Sequence, residues 1–137
     1  MDPSGRLNEG LVLIDTSLWI AAMSPDGDHA ARQTVRELVV AGRAATCEMV
    51  IAEVLRGAQS DAEAEAMEAE LGALQVLPCE GAGSVVAAMG RKMGAPRQRL
   101  ADLFVAAVAW RHNSALLHRD HHLSQIAAHF GIDEVAH

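Results

Sequence analysis

The stretch that most constrains the fold is LVLIDTSLWI, residues 11–20, in which four aliphatic residues lead directly into Asp15. A short, continuous aliphatic run that ends at polar residues is typical of a strand covered on both faces, as in the centre of a parallel sheet. In open α/β sheets, ligands bind beyond the carboxyl ends of the strands. The stretch therefore predicts a central strand that delivers the Asp15 carboxylate to a ligand-binding edge.

The rest of the chain alternates short apolar runs with helical patterns. We predict further strands at residues 44–46, 75–77 and 114–118, an edge strand at 132–136, and helices at 16–23, 29–41, 48–58, 61–74, 83–93, 100–110 and 123–129. Such alternation favours a parallel sheet with helices on both faces. Since 137 residues suffice for one core, we expect a single α/β domain.

Composition excludes several classes of protein. No apolar run approaches the roughly 20 residues that span a bilayer, and the first ten residues lack the apolar region of a signal peptide, so we expect a cytoplasmic protein without membrane contact. Cys47 and Cys79 are too few for a disulfide framework and are expected to be reduced. The sequence also lacks a glycine-rich phosphate loop, a nucleophile elbow and a CxxC motif.

Four acids stand out by their placement. Asp15 and Asp120 each follow an aliphatic strand, Asp102 lies on the apolar stripe of its predicted helix, and Glu53 sits among apolar residues. Each has a structural alternative: an N-cap for Asp15 or Asp120, a first-turn cap for Asp102, and an ion pair with Arg56 for Glu53. Taken together, the acids point to a divalent-metal site, because Mg²⁺ and Mn²⁺ prefer carboxylate and water oxygens.

Such a site would suit hydrolysis of phosphodiesters, since a bound cation lowers the pKa of water and aligns the phosphate. The formal net charge of −7 argues against a broad nucleic-acid surface, but acids gathered at one metal site would account for part of it. Ten of the eleven basic residues are arginines, and those at positions 91, 97 and 99 lie near one another in the sequence. They suit either phosphate contacts or ordinary surface salt bridges.

The histidines allow a rival metal site. His118, Asp120 and His122 alternate along an extended segment, so their side chains could point the same way and bind zinc. No further histidine or cysteine pattern of known spacing supports that site. Hydrogen bonding to Asp120 or contact with phosphate is the alternative role for these histidines.

Four segments together resemble PIN-domain ribonucleases, and most closely the VapC-type toxins of VapBC toxin-antitoxin pairs. They occur in the family's order and at the family's spacing, and the resemblance covers nearly the whole chain from Leu11. The segments are LIDTSLWI (residues 13–20), IAEVLRG (51–57), LADLFVAA (100–107) and LLHRD (116–120).

The resemblance implies a three-layer α/β/α sandwich with a short parallel sheet, formed by residues 11–137 after an N-terminal extension of residues 1–10. It also implies a Mg²⁺- or Mn²⁺-dependent endoribonuclease whose catalytic quartet is Asp15, Glu53, Asp102 and Asp120. In that scheme Asp15, Asp102 and Asp120 hold the metal, and Glu53 positions water or a second ion. The implied partners are an RNA substrate, a cognate VapB-type antitoxin and a second copy of the chain in a homodimer.

This chain departs from the family pattern around Asp120, where His118 replaces a hydroxyl residue and His122 and Leu123 replace an Asp-Phe-like pair. An alternative function is therefore a dimeric scaffold of the same fold that binds a partner protein with little or no catalysis.

Overall fold

The computed structural model describes residues 10–94 and 99–135. Within these ranges the chain alternates between strands and helices, as the sequence predicts. The strands are β1 (Val12–Ile14), β2 (Ala44–Thr46), β3 (Gln75–Val76) and β4 (Ala115–Leu117). The helices are α1 (Thr16–Met23), α2 (His29–Val40), α3 (Glu48–Arg56), α4 (Asp61–Gly72), α5 (Ala82–Met93), α6 (Leu100–Arg111) and α7 (His121–Phe130).

The four strands form one parallel sheet in the order β3-β2-β1-β4. Leu13 pairs with Ala45 of β2 on one side and with Leu116 of β4 on the other, so β1 has the predicted interior position. Every residue of β1, β2 and β4 is buried. Because neighbouring residues of a strand point to opposite faces, helices must cover both faces, which confirms the predicted three-layer α/β/α fold.

The pairing of β1 with β4 sets the geometry of one sheet edge. Ser114 joins the two strands where they begin: its hydroxyl accepts a hydrogen bond from Leu13 N at 3.1 Å and donates one to Leu11 O at 3.0 Å. At the other end, Asp15 N donates to Leu117 O at 2.9 Å. Since the strands are parallel, the residues that follow β1 and β4 emerge at the same edge.

Helix α6 is the most deeply buried helix next to this edge. Residues 105–109 are fully buried, and the helix packs against α5, α7 and α3. Its first turn carries Asp102. Asp102 begins the buried part of the helix, whereas Leu100 at 67% exposure and Trp110 at 52% exposure lie outside it.

The C-terminal segment differs from its prediction. The expected edge strand at 132–136 is reduced, among the described residues, to one parallel bridge between Leu116 and Glu134. Gly131, with φ at +67°, ends α7 immediately before this segment. Two hydrogen bonds complete the contact: Leu116 N donates to Asp133 O at 2.8 Å, and Val135 N donates to Leu116 O at 3.0 Å. Residues 1–9 of the predicted extension, the connector at 95–98 and residues 136–137 lie outside the described residues.

The two cysteines are not joined to each other. Cys47 and Cys79 are both free thiols, and Cys47 is buried. Burial raises the pKa of the Cys47 thiol to about 11, as expected for a cysteine that serves as a small core residue. No helix in the described part of the chain is long and apolar enough to span a bilayer.

Candidate active site

Asp15 ends β1 and caps α1. Its Oδ2 accepts hydrogen bonds from the backbone N of Ser17 at 3.0 Å and from the Ser17 hydroxyl at 2.6 Å. The same hydroxyl accepts a hydrogen bond from Arg119 N at 2.9 Å. Ser17 therefore fixes the Asp15 carboxylate and ties it to the loop that follows β4. Asp15 is only 4% exposed.

Asp120 caps α7 in the same way. Its Oδ1 accepts hydrogen bonds from His122 N at 2.8 Å and Leu123 N at 3.2 Å. The N-cap alternative is thus confirmed for both Asp15 and Asp120. Both capping hydrogen bonds go to Oδ1, so capping occupies only one oxygen of Asp120. The other oxygen, Oδ2, faces the Arg99 guanidinium at 3.5 Å. The capping role and a role in a metal site are therefore compatible.

Glu53 lies in the middle of α3, the helix that follows β2. Its Oε1 accepts a hydrogen bond from the Thr16 hydroxyl at 2.9 Å, and Thr16 directly follows Asp15. The alternative ion pair with Arg56 does not form between these two described residues. Glu53 is instead held towards the end of β1, beside Asp15.

Asp102 lies in the first turn of α6 and is 7% exposed. Its buried Oδ2 accepts no hydrogen bond from the described residues. Arg99 Nε lies 3.2 Å from this oxygen, but without the geometry of a hydrogen bond, so the contact is a charge interaction. A carboxylate oxygen in this state is well suited to bind a cation.

The pKa of Asp102 shows which charges surround it. Burial is the main cause that raises this pKa to about 6, and the negative charge of Asp120 is the next. The positive charge of Arg99 opposes the rise, whereas Asp15 and Glu53 add to it. The fold therefore brings four carboxylates from four separate elements into one electrostatic environment.

The donors at the site bear on the choice between zinc and a hard cation such as Mg²⁺ or Mn²⁺. Among the described residues, no three His, Cys, Asp or Glu side chains are placed as a ready-made group of metal ligands. The zinc alternative has a further difficulty, because His118 Nδ1 accepts a hydrogen bond from Asp120 N at 3.0 Å and His118 Nε2 lies 2.6 Å from Glu134 Oε1. The carboxylate quartet fits a hard divalent cation better, since it supplies oxygen donors and one of them is buried without a hydrogen bond.

Sequence reasoning missed two side chains at this edge. The Thr16 and Ser17 hydroxyls each hold one of the four acids, and the signal for them was two hydroxyl residues directly after the strand-ending acid. Arg99 is one of the arginines predicted to form either phosphate contacts or salt bridges, and its guanidinium forms ion pairs with Asp102 and Asp120. The signal for Arg99 was its spacing of three residues from Asp102.

Two apolar grooves lie away from the acids. One of about 720 Å³ runs between α1, α2 and the end of α4, and Trp19 and Val39 are among its lining residues. A smaller one of about 250 Å³ is lined by Trp110 and Phe130 with residues of α5. Trp19 is 6% exposed and belongs to the core, whereas Trp110 is 52% exposed.

Comparison with known proteins agrees with this architecture. The family model of the PIN domain matches residues 12–129. The chain belongs to the PIN domain family. All four acids of the candidate site lie within the matched region of this PIN domain.

The relatives of this PIN domain include VapC ribonucleases. The chain is 33% identical over 123 residues to Ribonuclease VapC11 of Mycobacterium tuberculosis and to VapC ribonuclease Mb1587 of Mycobacterium bovis. Each alignment covers 85% of this chain and 92% of the relative.

Solved structures show the same fold at low sequence identity. VapBC2 from Rickettsia felis, bound to a DNA fragment from its promoter, superposes with a TM-score of 0.70 at 14% identity, covering 91% of this chain and 97% of that one. FitAcB from Neisseria gonorrhoeae gives 0.67 at 15% identity, covering 92% and 97%. The resemblance inferred from the four segments is thus confirmed for both family and fold.

Proposed function

We propose that this PIN domain is the ribonuclease toxin of a VapBC-type toxin-antitoxin pair and that it cleaves RNA with the help of Mg²⁺ or Mn²⁺. The observation that carries the proposal is that four acids meet at one sheet edge: Arg99 contacts both Asp102 and Asp120, and Thr16, next to Asp15, holds Glu53. Carboxylates that repel one another in a partly dry site create affinity for a divalent cation. The names of the VapC relatives support the same activity.

In this proposal Asp15, Asp102 and Asp120 hold the cation, and Glu53 positions the attacking water. When bound, the cation would lower the pKa of water and neutralise charge on the phosphate. Ser17 keeps the Asp15 carboxylate fixed through two hydrogen bonds, and Thr16 does the same for one oxygen of Glu53. Attack in line on the phosphodiester would leave a 5′-phosphate and a 3′-hydroxyl.

The proposed protein partners are a cognate antitoxin and a second copy of the chain. Structures of VapBC2 from Rickettsia felis and of a toxin-antitoxin complex from Klebsiella pneumoniae have this fold, which supports a cognate antitoxin for this chain. We also propose a homodimer that acts on RNA in the cytoplasm. Both partners can be tested by purifying the chain alone and together with a candidate antitoxin. Mass in solution and RNA cleavage are then measured for each preparation.

Replacing the metal ligands tests the activity directly. Asp15→Asn and Asp102→Asn remove a charge from the site but keep the shape of the side chain, and an asparagine oxygen can still cap α1. We expect both variants to fold and to lose RNA cleavage and growth inhibition. Glu65→Gln, an exposed acid on α4, is the matched control and should retain both.

The same experiment separates the nuclease from the scaffold alternative. A nuclease shows saturable Mn²⁺ binding that is lost in the Asp15 and Asp102 variants. Full cleavage by both variants would refute the proposed site. Folded wild-type protein that binds no Mn²⁺ and cuts no RNA would favour the scaffold.

A further inference from the structure

Arg99 lies between two of the three proposed metal ligands. It is the N-cap residue of α6, and its Nε lies 3.2 Å from Asp102 Oδ2. Its Nη2 lies 3.5 Å from Asp120 Oδ2. The two acids come from different elements, so this guanidinium is a positive charge shared between the start of α6 and the start of α7.

These contacts are weaker than the others at the site. The Nε contact lacks the geometry of a hydrogen bond, the Nη2 contact is long, and the Arg99 side chain is 57% exposed. Ion pairs of this partly solvated kind contribute little and exchange readily. By contrast, Asp15 is fixed by two hydrogen bonds from Ser17. Arg99 can therefore leave its carboxylates at small cost, while the rest of the site stays in place.

We propose that Arg99 is an internal counterion that competes with the divalent cation for Asp102 and Asp120. The proposal rests on the proposed function, because it assumes that these acids bind the metal. Mg²⁺ sits about 2.1 Å from its carboxylate ligands, and Mn²⁺ takes similar oxygen sites. A guanidinium 3.2 and 3.5 Å from the same two oxygens would repel either cation strongly at that range. Binding of the cation therefore requires Arg99 to move away, and its presence lowers the metal affinity of the free protein.

Titration of Mn²⁺ into the full chain without RNA, with free Mn²⁺ measured by electron paramagnetic resonance, tests this competition. We expect Arg99→Gln to bind Mn²⁺ about three- to tenfold more tightly than the wild type, which is the range that the loss of two partly exposed ion pairs allows. Arg99→Lys keeps the charge and should stay close to wild type. Arg91→Gln removes the same charge from an exposed position on α5 and should change the affinity less than about twofold.

Thermal unfolding provides a second measurement, and its metal-free part does not depend on metal affinity. In chelator, Arg99→Gln should unfold at a lower temperature than the wild type, because Asp102 and Asp120 lose their counterion. Saturating Mn²⁺ should stabilise the variant more than the wild type and so narrow the difference between their melting temperatures. Circular dichroism before each titration confirms that the variants fold. Arg99→Lys, which keeps the charge, should unfold close to the wild-type temperature.

The outcomes are distinguishable. Equal or weaker Mn²⁺ affinity in Arg99→Gln overturns the competition, and so does an equal gain in Arg91→Gln, which would reflect net charge alone. If the wild type binds Mn²⁺ and cuts RNA in those cases, the proposed function stands. If no variant binds Mn²⁺ and the wild type cuts no RNA, both proposals fail.

Discussion

Replacing Asp102 by asparagine should stabilise the metal-free protein at alkaline pH, although it should also abolish cleavage. In the wild type, the buried carboxylate carries a charge close to those of Asp15, Glu53 and Asp120. This environment disfavours the charged form, which is why the pKa of Asp102 is raised above its ordinary value. Burial of the charge is the main cause, and repulsion by Asp120 is the next. Asparagine carries no charge and therefore removes both penalties.

The size of the effect follows from the pKa. A rise from 3.8 to about 6 corresponds to about 3 kcal/mol of unfavourable free energy for the charged form in the folded state. Asparagine introduces a smaller penalty of its own, because its NH₂ group is buried beside Arg99. A buried donor without an acceptor costs about 1–2 kcal/mol. The net gain should be about 1–2 kcal/mol, or roughly 3–8 °C in melting temperature.

The gain should depend on pH in a defined direction. Because the folded pKa is the higher one, wild-type Asp102 is fully charged and destabilising above about pH 7, and the penalty disappears as pH falls through about 6 towards 4. Asp102→Asn should therefore be more stable than the wild type at pH 8 and close to it, or slightly less stable, at pH 4.5.

Thermal unfolding in chelator at both pH values checks this, with the exposed Glu65→Gln as a control for net charge. Added Mn²⁺ should then raise the melting temperature of the wild type but not that of Asp102→Asn. A variant that is less stable than the wild type at pH 8, or a difference that does not change with pH, would show that the Asp102 charge is not under repulsion.

Three further predictions concern single side chains. Thr16→Val removes the hydrogen bond to Glu53 and should lower kcat for RNA cleavage about tenfold, with circular dichroism unchanged and a smaller change in KM. Ser114→Ala removes a buried hydroxyl that bonds Leu13 N and Leu11 O, and it should lower the free energy of urea unfolding by about 1 kcal/mol, with cleavage retained below the melting transition. At pH 8 a thiol reagent should modify the half-buried Cys79 before Cys47, because a pKa of about 11 leaves only about one in a thousand Cys47 thiols ionised; equal rates would contradict this burial.

The strand-ending acids could be predicted from local sequence alone. An aliphatic run followed by an acid indicates both a buried strand and the position of its carboxyl end, and two such runs in a parallel sheet place Asp15 and Asp120 at one edge. The predicted strand at 132–136 was too long, because within residues 132–135 only Glu134 forms a bridge to the sheet.

The orientation of the two acids on helices, Glu53 and Asp102, could not be predicted from local sequence. The sequence shows that Glu53 and Asp102 lie in apolar surroundings, but the direction in which α3 and α6 present them depends on tertiary packing. The chemistry of divalent cations linked them to the strand-ending acids as a hypothesis, and the family resemblance implied the same four residues. Arg99 shows the same limit, since its three-residue spacing predicts a contact with Asp102 but not with Asp120, which comes from another element.

The sheet order has a consequence for when the chain could become harmful. β1 and β4, the first and last strands in the sequence, are neighbours, so the edge that carries Asp15 and Asp120 exists only after almost all of the described chain has been made. A polypeptide still emerging from the ribosome, or one cut anywhere between these strands before folding, lacks one half of the edge. A nuclease built this way would spare the RNA from which it is being translated until its own synthesis is nearly finished.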